Sequence, residues 1–425
     1  MRFNTLDQWL AWQETLHPNK IDLGLDRVVS VLRRMGLDQP NYVVITIAGT
    51  NGKGSCVAML ESILLTAGYR VGAYLSPHLM RYNERIRVLS QQACGDALCA
   101  SFNQIDESRG DISLTYFEFG TLAALDIFSR ANLDVAILEV GMGGRLDAVN
   151  SIDADVALVT NIGIDHVAWL GSDRNTIAVE KAGIFRSEHP AIFGDRDVPD
   201  SLLEYAKSNH VPLYRLGHEY NYSANTKEWS WRGINRQRPA LVYPALRGPH
   251  QLNNASSVIM ALELLSDRLP VTQQDIRHGL IDVKLPGRFQ VVPGPIQQVF
   301  DVAHNPLGAK VLAESLRQQL CTGRTYAVVS MLSDKDIKNT LREMIDCIHG
   351  WFVAGLDTER GAKGTDLGEA LDSIGVKEGI LIFDNIKQAY DKALLQAKPG
   401  DRVVIFGSFY TVGQLLANTA DNQLQ

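Results

Sequence analysis

A glycine-rich segment near residue 50 constrains the fold of this chain more than any other feature. The segment AGTNGKGS at 48–55 follows an apolar, β-branched run at 42–46 and precedes a helix-like run at 56–67. A strand, a glycine loop and a helix in this order form a cradle for phosphate, because glycines let backbone N–H groups converge on an anion. Lys53 adds a positive charge, and Ser55 can offer its hydroxyl to Mg²⁺. The segment therefore predicts a nucleotide-binding α/β domain.

The loop departs from the common phosphate-loop spacing, since Gly54 separates Lys53 from Ser55. The alternative interpretation is a glycine turn that only begins a helix. The lysine at the mouth of the helix favours the nucleotide-binding interpretation.

Composition excludes several classes of protein. The 425 residues include 41 basic and 48 acidic side chains, a net charge of −7, so no global positive field attracts nucleic acid or a membrane surface. The N-terminal residues lack the apolar core of a signal peptide, and no apolar run is long enough to cross a bilayer. The five cysteines are scattered without C-x-x-C spacing, which favours a reducing cytoplasm over a disulfide framework or a zinc site. A chain of this length is expected to form two or three domains.

Alternating strand-like and helix-like segments predict a parallel sheet covered by helices. In the first part of the chain the predicted strands are 42–47, 69–74, 135–140, 156–160 and 191–193, with helices at 55–66 and 117–129. An antiparallel ribbon is expected at 220–243, followed by helices at 250–265 and 272–281. After a Pro-Gly break at 286–287 a smaller α/β domain follows, with about five strands at 299–302, 325–330, 351–354, 380–383 and 403–406 and helices at 306–319, 337–348, 366–374 and 386–396. We therefore expect domains at 1–285 and 286–425.

Three polar residues stand at or beyond the ends of predicted strands in the first domain. Ser76, Glu139 and His166 follow three of these apolar runs, and doubly wound sheets place their chemistry at this edge. A carboxylate and a hydroxyl suit Mg²⁺, and an acid that ends a buried strand needs a partner, which favours a metal at Glu139. For Ser76 a capping role is equally compatible, and histidine is a less usual ligand for so hard an ion.

Longer motifs resemble one family. The runs AGTNGKGS, LSPHLMRYNERIRV, LTYFEFGTLAAL, LEVGMGGRLDAVN, TNIGIDH and VEKAGIF, and then GPHQLNNA, LPGRF, FDVAHNP and GSFYTVG, are similar to those of folylpolyglutamate synthases. The resemblance is closer still to the bacterial bifunctional dihydrofolate synthase/folylpolyglutamate synthases, relatives of the Mur ligases. It extends over nearly the whole chain. It implies a P-loop-type ATPase domain like that of Mur ligases, built on a parallel sheet, and a smaller Rossmann-like C-terminal α/β domain.

The resemblance also implies an activity. Members of this family phosphorylate a carboxylate of a pteroate or folate with ATP, and the amine of L-glutamate then attacks the acyl phosphate. It implies dihydropteroate and reduced folates as acceptors and two magnesium ions held by Ser76, Glu139 and His166. The positions that match the ATP-contacting residues of the family are Thr50, Asn51, Gly52, Lys53, Gly54, Ser55, Asn254, Arg288 and Asp301. We expect a cytoplasmic monomer with no nucleic-acid or membrane partner.

Further positions acquire roles only through the resemblance. Lys181 matches a lysine that is carbamylated in relatives, whereas its residue type alone favours a solvated helix lysine beside Glu180. With Lys53 and His166 it completes the expected catalytic set. The matching pterin-binding positions are Thr115, Tyr116, Phe117, Glu118 and Leu146.

Core packing is the alternative for the aromatic residues of that segment, although Phe117 could stack on a flat heterocycle. Arg288 could contact phosphate with its forked guanidinium, but an arginine beside a Pro-Gly break is by default a surface residue. His304 and Ser408 are further candidates whose roles the sequence does not separate.

Three other functions remain open at this point. A monofunctional folylpolyglutamate synthase would use folates and not dihydropteroate. A Mur-type ligase acting on a nucleotide-sugar peptide usually carries a further N-terminal domain, for which about forty residues before the loop strand are too few. A nucleotide-dependent switch would keep the loop but would not need a second polar domain with Arg288 and Asp301.

Overall fold

The largest sheet has eight strands, in the order β4-β3-β2-β5-β1-β6-β7-β8. The strands are β1 (Val43–Ala48), β2 (Val71–Tyr74), β3 (Ile86–Val88), β4 (Gln91–Gln92), β5 (Val135–Glu139), β6 (Val156–Val159), β7 (Ala191–Phe193) and β8 (Leu213–Arg215). All neighbours pair in parallel except β2 with β3 and β3 with β4, which are antiparallel. The predicted parallel sheet is thus confirmed, with an antiparallel edge.

The central strands β1, β5 and β6 are buried at every position. Their β-branched and apolar residues suit a sheet that is covered on both faces, since no face has to accommodate polar side chains. Helices supply the cover, as β–α alternation requires. The ten helices that precede residue 283 are α1 (Leu6–Leu16), α2 (Asp26–Arg34), α3 (Lys53–Thr66), α4 (Gly95–Arg109), α5 (Tyr116–Arg130), α6 (Val167–Leu170), α7 (Arg174–Ala182), α8 (Asp200–Ser208), α9 (Gln251–Leu264) and α10 (Gln273–Asp282). Short 3₁₀ helices occur at Tyr82–Arg85 and Ala148–Ser151.

The predicted ribbon between residues 220 and 243 is a three-stranded antiparallel sheet, in the order β11-β10-β9. Its strands are β9 (Asn221–Ala224), β10 (Trp229–Arg232) and β11 (Gln237–Leu241). Trp229 and Trp231 alternate with polar residues along β10 and are buried, and the indole of Trp231 donates to the carbonyl of Ser256 in α9. The alternation of buried tryptophan and polar residues along β10 therefore gives the small sheet a face that packs against α9.

A six-stranded sheet forms the later part of the chain, in the order β12-β13-β17-β14-β15-β16. Its strands are β12 (Gln290–Val292), β13 (Gln297–Phe300), β14 (Thr325–Val329), β15 (Gly350–Ala354), β16 (Ile380–Phe383) and β17 (Arg402–Phe406). Five strands were expected; the sixth, β12, is a short antiparallel edge strand paired with β13. The helices are α11 (Pro306–Gln318), α12 (Ile337–Arg342), α13 (Gly364–Ser373), α14 (Ile386–Gln396) and α15 (Phe409–Asn422), with a 3₁₀ helix at Ile345–Cys347. The prediction of a single helix at 337–348 is therefore wrong, because α12 ends at Arg342.

This computed structural model describes residues 1–422, which divide into two compact units. The first unit comprises Met1–Ala245 and Leu252–Val283, and the second comprises Leu246–Gln251 and the described residues from Lys284 onward. Each unit has its own hydrophobic core, with Trp9, Phe102 and Phe119 in the first and Trp351 and Phe406 in the second. Within the described part of the chain, no helix has the length and hydropathy needed to span a membrane.

Candidate active site

The glycine loop lies between β1 and α3, as the sequence predicts. Gly52 precedes α3 with φ of 86°, a left-handed conformation that glycine adopts without steric cost. A β-carbon at Gly52 would lie 2.7 Å from the side-chain Oδ1 of Asn254, so Asn254 of α9 is packed directly against the loop. Two residues that are about 200 positions apart in sequence, and were both expected to contact ATP, are thus brought together.

Lys53 is held at the mouth of α3. Its Nζ donates to the carbonyl oxygens of Gly49 at 3.0 Å and Thr50 at 3.4 Å, so the loop curls around the ammonium group. The segment that follows β6 braces the loop from the other side: Gly163 exchanges hydrogen bonds with the Thr50 hydroxyl at 2.9 and 3.0 Å, and the Thr160 hydroxyl donates to the carbonyl of Asn51 at 2.6 Å. A loop fixed in this way presents its N–H groups and the ammonium without further reorganisation.

The structure brings Ser76 and Glu139 together. Glu139 is the last residue of β5 and is paired in register with Ile47 of β1, so its carboxylate stands at the same edge of the sheet as the loop. The backbone N–H of Ser76 donates to the Oε2 of Glu139 at 3.2 Å, and the Glu139 side chain is only 4% exposed. A buried carboxylate at this edge needs positive charge nearby, and Mg²⁺ is a suitable source of it.

His166 lies just beyond the segment that braces the loop. It precedes α6 in the left-handed conformation, with φ of 53°, and its backbone N–H donates to the Oδ1 of Asp165 at 2.8 Å. Among the described residues, no three His, Cys, Asp or Glu side chains form a group that could hold a metal by themselves. The expected set contains only two such residues and a serine, so phosphate oxygens and water would complete the coordination, a mixture that Mg²⁺ accepts. Apart from the imidazole of His166, which is a less usual ligand for so hard an ion, the donor set fits Mg²⁺.

Lys181 is buried in α7, with 4% of its surface exposed, and not solvated as its residue type alone suggested. Burial, and secondarily the positive charge of Lys53, lower the pKa of Lys181 to about 7, against the opposing effect of Asp165 and Asp147. The second glycine loop, at 141–147, packs against the backbone of α7, where a β-carbon at Gly144 would lie 2.9 Å from the carbonyl oxygen of Lys181. Because the charge of Lys53 contributes to the pKa shift, the amine of Lys181 lies near the phosphate loop.

The segment expected to bind pterin begins α5. Thr115 and Glu118 form a capping box, in which the Thr115 N–H donates to Glu118 Oε2 at 2.7 Å and the Glu118 N–H donates to Thr115 Oγ1 at 3.2 Å. Glu118 also forms an ion pair with Arg27 at 3.1 Å. Half-buried Phe117 packs against the second glycine loop, since a β-carbon at Gly141 would lie 2.5 Å from its Cζ. Leu146, farther along the same loop region, is half-buried.

The second unit gathers its own candidates at one edge of its sheet. Asp301 directly follows β13, and its oxygens accept from the N–H groups of Phe289 and Ala303, each at 2.8 Å. Burial raises the pKa of Asp301, while the nearby positive charge of Arg288 opposes that rise. The Arg288 guanidinium lies 4.9 Å from the ring centroid of Phe409.

The two remaining candidates of this unit, His304 and Ser408, contact residues that are close to them in the sequence. Ser408 receives a hydrogen bond from the N–H of Thr411 at 3.0 Å, and the His304 Nδ1 lies 2.9 Å from the carbonyl oxygen of Val302. Ser408 thus supports the first turn of α15, whereas the His304 ring lies 6.1 Å from that of Phe409.

Sequence reasoning did not identify two buried charged residues near these sites. Asp147 is 3% exposed, accepts from the N–H groups of Met142 and Val149, and burial raises its pKa to about 6. Arg85 ends the 3₁₀ helix that begins at Tyr82. Both stand inside motifs that were recognised, LEVGMGGRLDAVN and LSPHLMRYNERIRV, but nothing in their spacing distinguishes them from solvated loop residues.

This chain is similar to known proteins in both sequence and structure. The Mur ligase middle domain matches residues 47–262, and the glutamate ligase domain of Mur ligases matches residues 287–409. The dihydrofolate synthase/folylpolyglutamate synthase of Escherichia coli K12 is 46% identical over 411 residues, covering 97% of this chain and 94% of the relative. The structure of E. coli FolC in complex with DHPP and ADP superposes with a TM-score of 0.94 at 44% identity, covering 99% of both chains. A bifunctional folylpolyglutamate synthase/dihydrofolate synthase with Mn, AMPPNP and L-glutamate bound gives a TM-score of 0.91 at 44% identity, with 98% of each chain covered.

The fold and the two matched domains define a Mur ligase, and the chain belongs to that family. The closer resemblance that the sequence indicates, to the bifunctional synthases, is also confirmed. Within the Mur ligases, the chain belongs with the bifunctional dihydrofolate synthase/folylpolyglutamate synthases.

Proposed function

We propose that this protein is an ADP-forming ligase that joins L-glutamate to dihydropteroate, giving dihydrofolate, and adds further glutamates to reduced folates. One observation carries the proposal: a phosphate loop with Lys53 stands at the same sheet edge as the buried carboxylate of Glu139, in a chain of this family. ADP, DHPP and glutamate are bound in the related structures, and we extend those ligands to this protein.

The chemistry requires two displacements. An oxygen of the acceptor carboxylate attacks the γ-phosphorus of ATP, the bond to the β-phosphate oxygen breaks, and ADP leaves. The amine of glutamate then attacks the carbonyl carbon of the acyl phosphate and loses its proton, and inorganic phosphate departs. Both steps depend on positioning and on neutralising charge, since the carboxylate and the triphosphate repel each other.

The residues of the first unit supply this charge and alignment. The fixed loop and the Lys53 ammonium hold the phosphates. The other residues of the loop and of the start of α3 that contact them are Thr50, Asn51, Gly52, Gly54 and Ser55. Ser76, Glu139 and His166 would hold Mg²⁺, and we propose two ions. When bound, the divalent ion neutralises phosphate charge and orients the terminal phosphate.

Lys181 is proposed to act after carbamylation. A buried amine with a pKa of about 7 is partly neutral at physiological pH, and a neutral amine can attack CO₂ to give a carbamate and release one proton. The product exchanges a buried cation for an anionic oxygen donor. The cation Lys53 favours that exchange, whereas the nearby carboxylates of Asp165 and Asp147 oppose it.

The acceptor is proposed to bind against the start of α5. Phe117 would stack on the pterin, with Thr115, Tyr116, Glu118 and Leu146 around it. The capping box fixes the helix start and so the position of the Phe117 backbone. Thr115 and Glu118 then contribute mainly by supporting the segment.

We further propose that Asn254, Arg288 and Asp301 contact ATP, with the ATP-binding domain at 1–285 and the C-terminal domain at 286–425. The packing of Asn254 against Gly52 and the proximity of Arg288 to Asp301 support these roles. We also propose a monomer that works in the cytoplasm, as expected for an enzyme that uses free ATP and glutamate.

The discriminating experiment follows ADP release with dihydropteroate and tetrahydrofolate as separate acceptors. We expect glutamate-dependent release with each acceptor. Activity with tetrahydrofolate alone would reduce the function to a monofunctional folylpolyglutamate synthase. ADP release that needs neither glutamate nor a pterin would contradict ligase chemistry altogether.

A further inference from the structure

Arg85 is a buried arginine that has no ion-pair partner among the side chains that the structure describes. It is 9% exposed and ends the 3₁₀ helix Tyr82–Arg85. Its Nε donates to the Nδ1 of His78 at 2.9 Å, and its Cζ lies 5.4 Å from the ring centroid of Tyr82 and 5.6 Å from that of Tyr116. The imidazole, two aromatic faces and the nearby hydroxyl of Tyr74 only partly replace the hydration that a guanidinium loses on burial.

The other buried arginines among the described residues are satisfied differently. Arg109 is equally buried, at 9% exposure, and forms an ion pair with Asp106 at 2.8 Å. Arg402, at 5% exposure, donates to the carbonyl oxygens of Leu316 and Gln319 and to the hydroxyl of Thr325. For Arg85, no Asp or Glu oxygen among the side chains of residues 1–417 lies within 4.0 Å.

The neighbouring groups do not supply the missing charge. The adjacent carboxylate, Glu84, accepts from the backbone N–H groups of Leu79, Met80 and Arg81 at 2.7–2.9 Å and is thus committed to ordering the preceding loop. His78 accepts from the Nε of Arg85 through its Nδ1 at 2.9 Å, and an imidazole carries no negative charge. Neither Glu84 nor His78 therefore provides an ion-pair partner for the guanidinium.

Two contacts place Arg85 between the candidate metal ligands and the candidate pterin segment. Its carbonyl oxygen accepts from the N–H of Leu75 at 2.8 Å, next to Ser76, whose own N–H donates to Glu139. Its guanidinium faces the ring of Tyr116 at the start of α5. A pteroate has its carboxylate at the end opposite the pterin, so an anion-binding group between these two sites corresponds to that carboxylate.

We infer that Arg85 binds the carboxylate of the pteroate acceptor, the group that becomes phosphorylated, through the charge-assisted bonds of its guanidinium, with His78 as a positioning residue. This inference rests on the proposed function. The forked geometry of arginine matches a carboxylate in two parallel hydrogen bonds, and its charge offsets the repulsion between that carboxylate and the triphosphate. The rings of Tyr82 and Tyr116, whose centroids lie 5.7 Å apart, pack beside the guanidinium and limit its movement.

The test compares two ligands on the wild-type protein and on two variants. The ligands are dihydropteroate and the same pterin–aniline compound without the carboxyl group, and dissociation constants are measured by calorimetry in the presence of an ATP analogue. The wild-type protein should prefer dihydropteroate by about tenfold or more, because a site built around a charged hydrogen bond rejects a ligand that lacks the partner. In Arg85→Met the ratio should fall to within about twofold of unity, with the affinity for the ATP analogue unchanged.

Arg130→Met serves as the matched control, since Arg130 is on the same helix as Tyr116 but its side chain is 53% exposed. It should retain the wild-type preference. Arg85→Lys keeps a positive charge without the fork, so it should show an intermediate ratio and provides a folded variant if Arg85→Met does not fold.

Three outcomes would overturn the assignment. Both Arg85 variants could keep the wild-type preference for dihydropteroate, or the wild-type protein could bind dihydropteroate and the compound without the carboxyl group equally well. The third is a raised KM for glutamate in the Arg85 variants with an unchanged ratio of the two dissociation constants. A wild-type protein that binds ATP but neither pterin compound would contradict the proposed function itself.

Discussion

The side-chain Oδ1 of Asn254 occupies the space into which a β-carbon on Gly52 would project, 2.7 Å from that position. This contact joins the start of α3 to α9 within the first unit. It makes Gly52 necessary for two reasons, its left-handed backbone and the close approach of the amide. The two effects can be separated by experiment.

Gly52→Ala should lose most of its affinity for an ATP analogue. The left-handed conformation costs an alanine about 1 kcal/mol, and the methyl group must also displace Asn254 or open the loop. Calorimetric titration should show a dissociation constant raised by more than tenfold, since each ~1.4 kcal/mol is a factor of ten.

Gly68→Ala is the matched control for that variant. Gly68 follows α3 with φ of 91°, but no atom lies within 4 Å of its added β-carbon. It should therefore lose about 1 kcal/mol of stability and retain wild-type ATP affinity. If both variants bind ATP equally well, the contact with Asn254 has no part in nucleotide binding.

Much of the first sheet was predictable from sequence because its central strands are buried on both faces. Strands β1, β5 and β6 are runs of β-branched and apolar residues that fit few other structures. The antiparallel strands β3, β4 and β12 have two or three residues each, too few to show a period. Their formation depends on a neighbouring strand that is already in place.

Lys53→Ala should reduce kcat by about 10²–10³, because a preorganised charge at a developing anion contributes roughly 3–4 kcal/mol to transition-state stabilisation. ADP release at saturating substrates measures the effect. The exposed Lys227→Ala provides a control for loss of a lysine and should retain wild-type turnover. Wild-type rates in Lys53→Ala would remove this ammonium from the mechanism.

Lys181→Met should stabilise the protein, and by more at pH 6 than at pH 9. Burial lowers the folded-state pKa from 10.5 to about 7, so the folded protein holds this proton less tightly than the unfolded chain. The cost is fully present below pH 7 and disappears as the pH rises towards 10.5. The difference in stabilisation between the two pH values should be about 3 kcal/mol.

Urea unfolding in CO₂-free buffer measures this effect, because a carbamate would remove the titrating amine. Lys207→Met, an exposed position on α8, should change stability by less than about 0.5 kcal/mol at either pH. Equal stabilisation by Lys181→Met at pH 6 and pH 9 would show that burial does not lower the pKa of Lys181.

Phe117→Leu should raise the KM for dihydropteroate by about three- to tenfold and leave the KM for ATP unchanged, since aromatic stacking contributes ~0.5–1.5 kcal/mol. Phe128→Leu, on the same helix but fully buried, separates stacking from packing. That control should lower the melting temperature without a selective effect on dihydropteroate. A KM for dihydropteroate that rises equally in both variants would contradict stacking at Phe117.

The candidate site could be predicted only where a motif carries its own chemistry. The phosphate loop and the carboxylate that ends β5 follow from residue type and position in a strand. Arg85 does not, because its significance comes from burial and from the absence of a carboxylate within 4.0 Å among the side chains of residues 1–417, which only the folded chain reveals. Lys181 is a similar case, since its residue type predicted a solvated lysine and the folded chain buries it.

The central claim, that ATP activates the acceptor as an acyl phosphate, is tested most directly by isotope transfer. Dihydropteroate labelled with ¹⁸O in its carboxyl group would be converted with ATP and L-glutamate, and the released phosphate analysed by mass spectrometry. The account predicts one ¹⁸O atom in each phosphate, because the carboxyl oxygen that attacks phosphorus leaves with it. Unlabelled phosphate released alongside labelled dihydrofolate would contradict it.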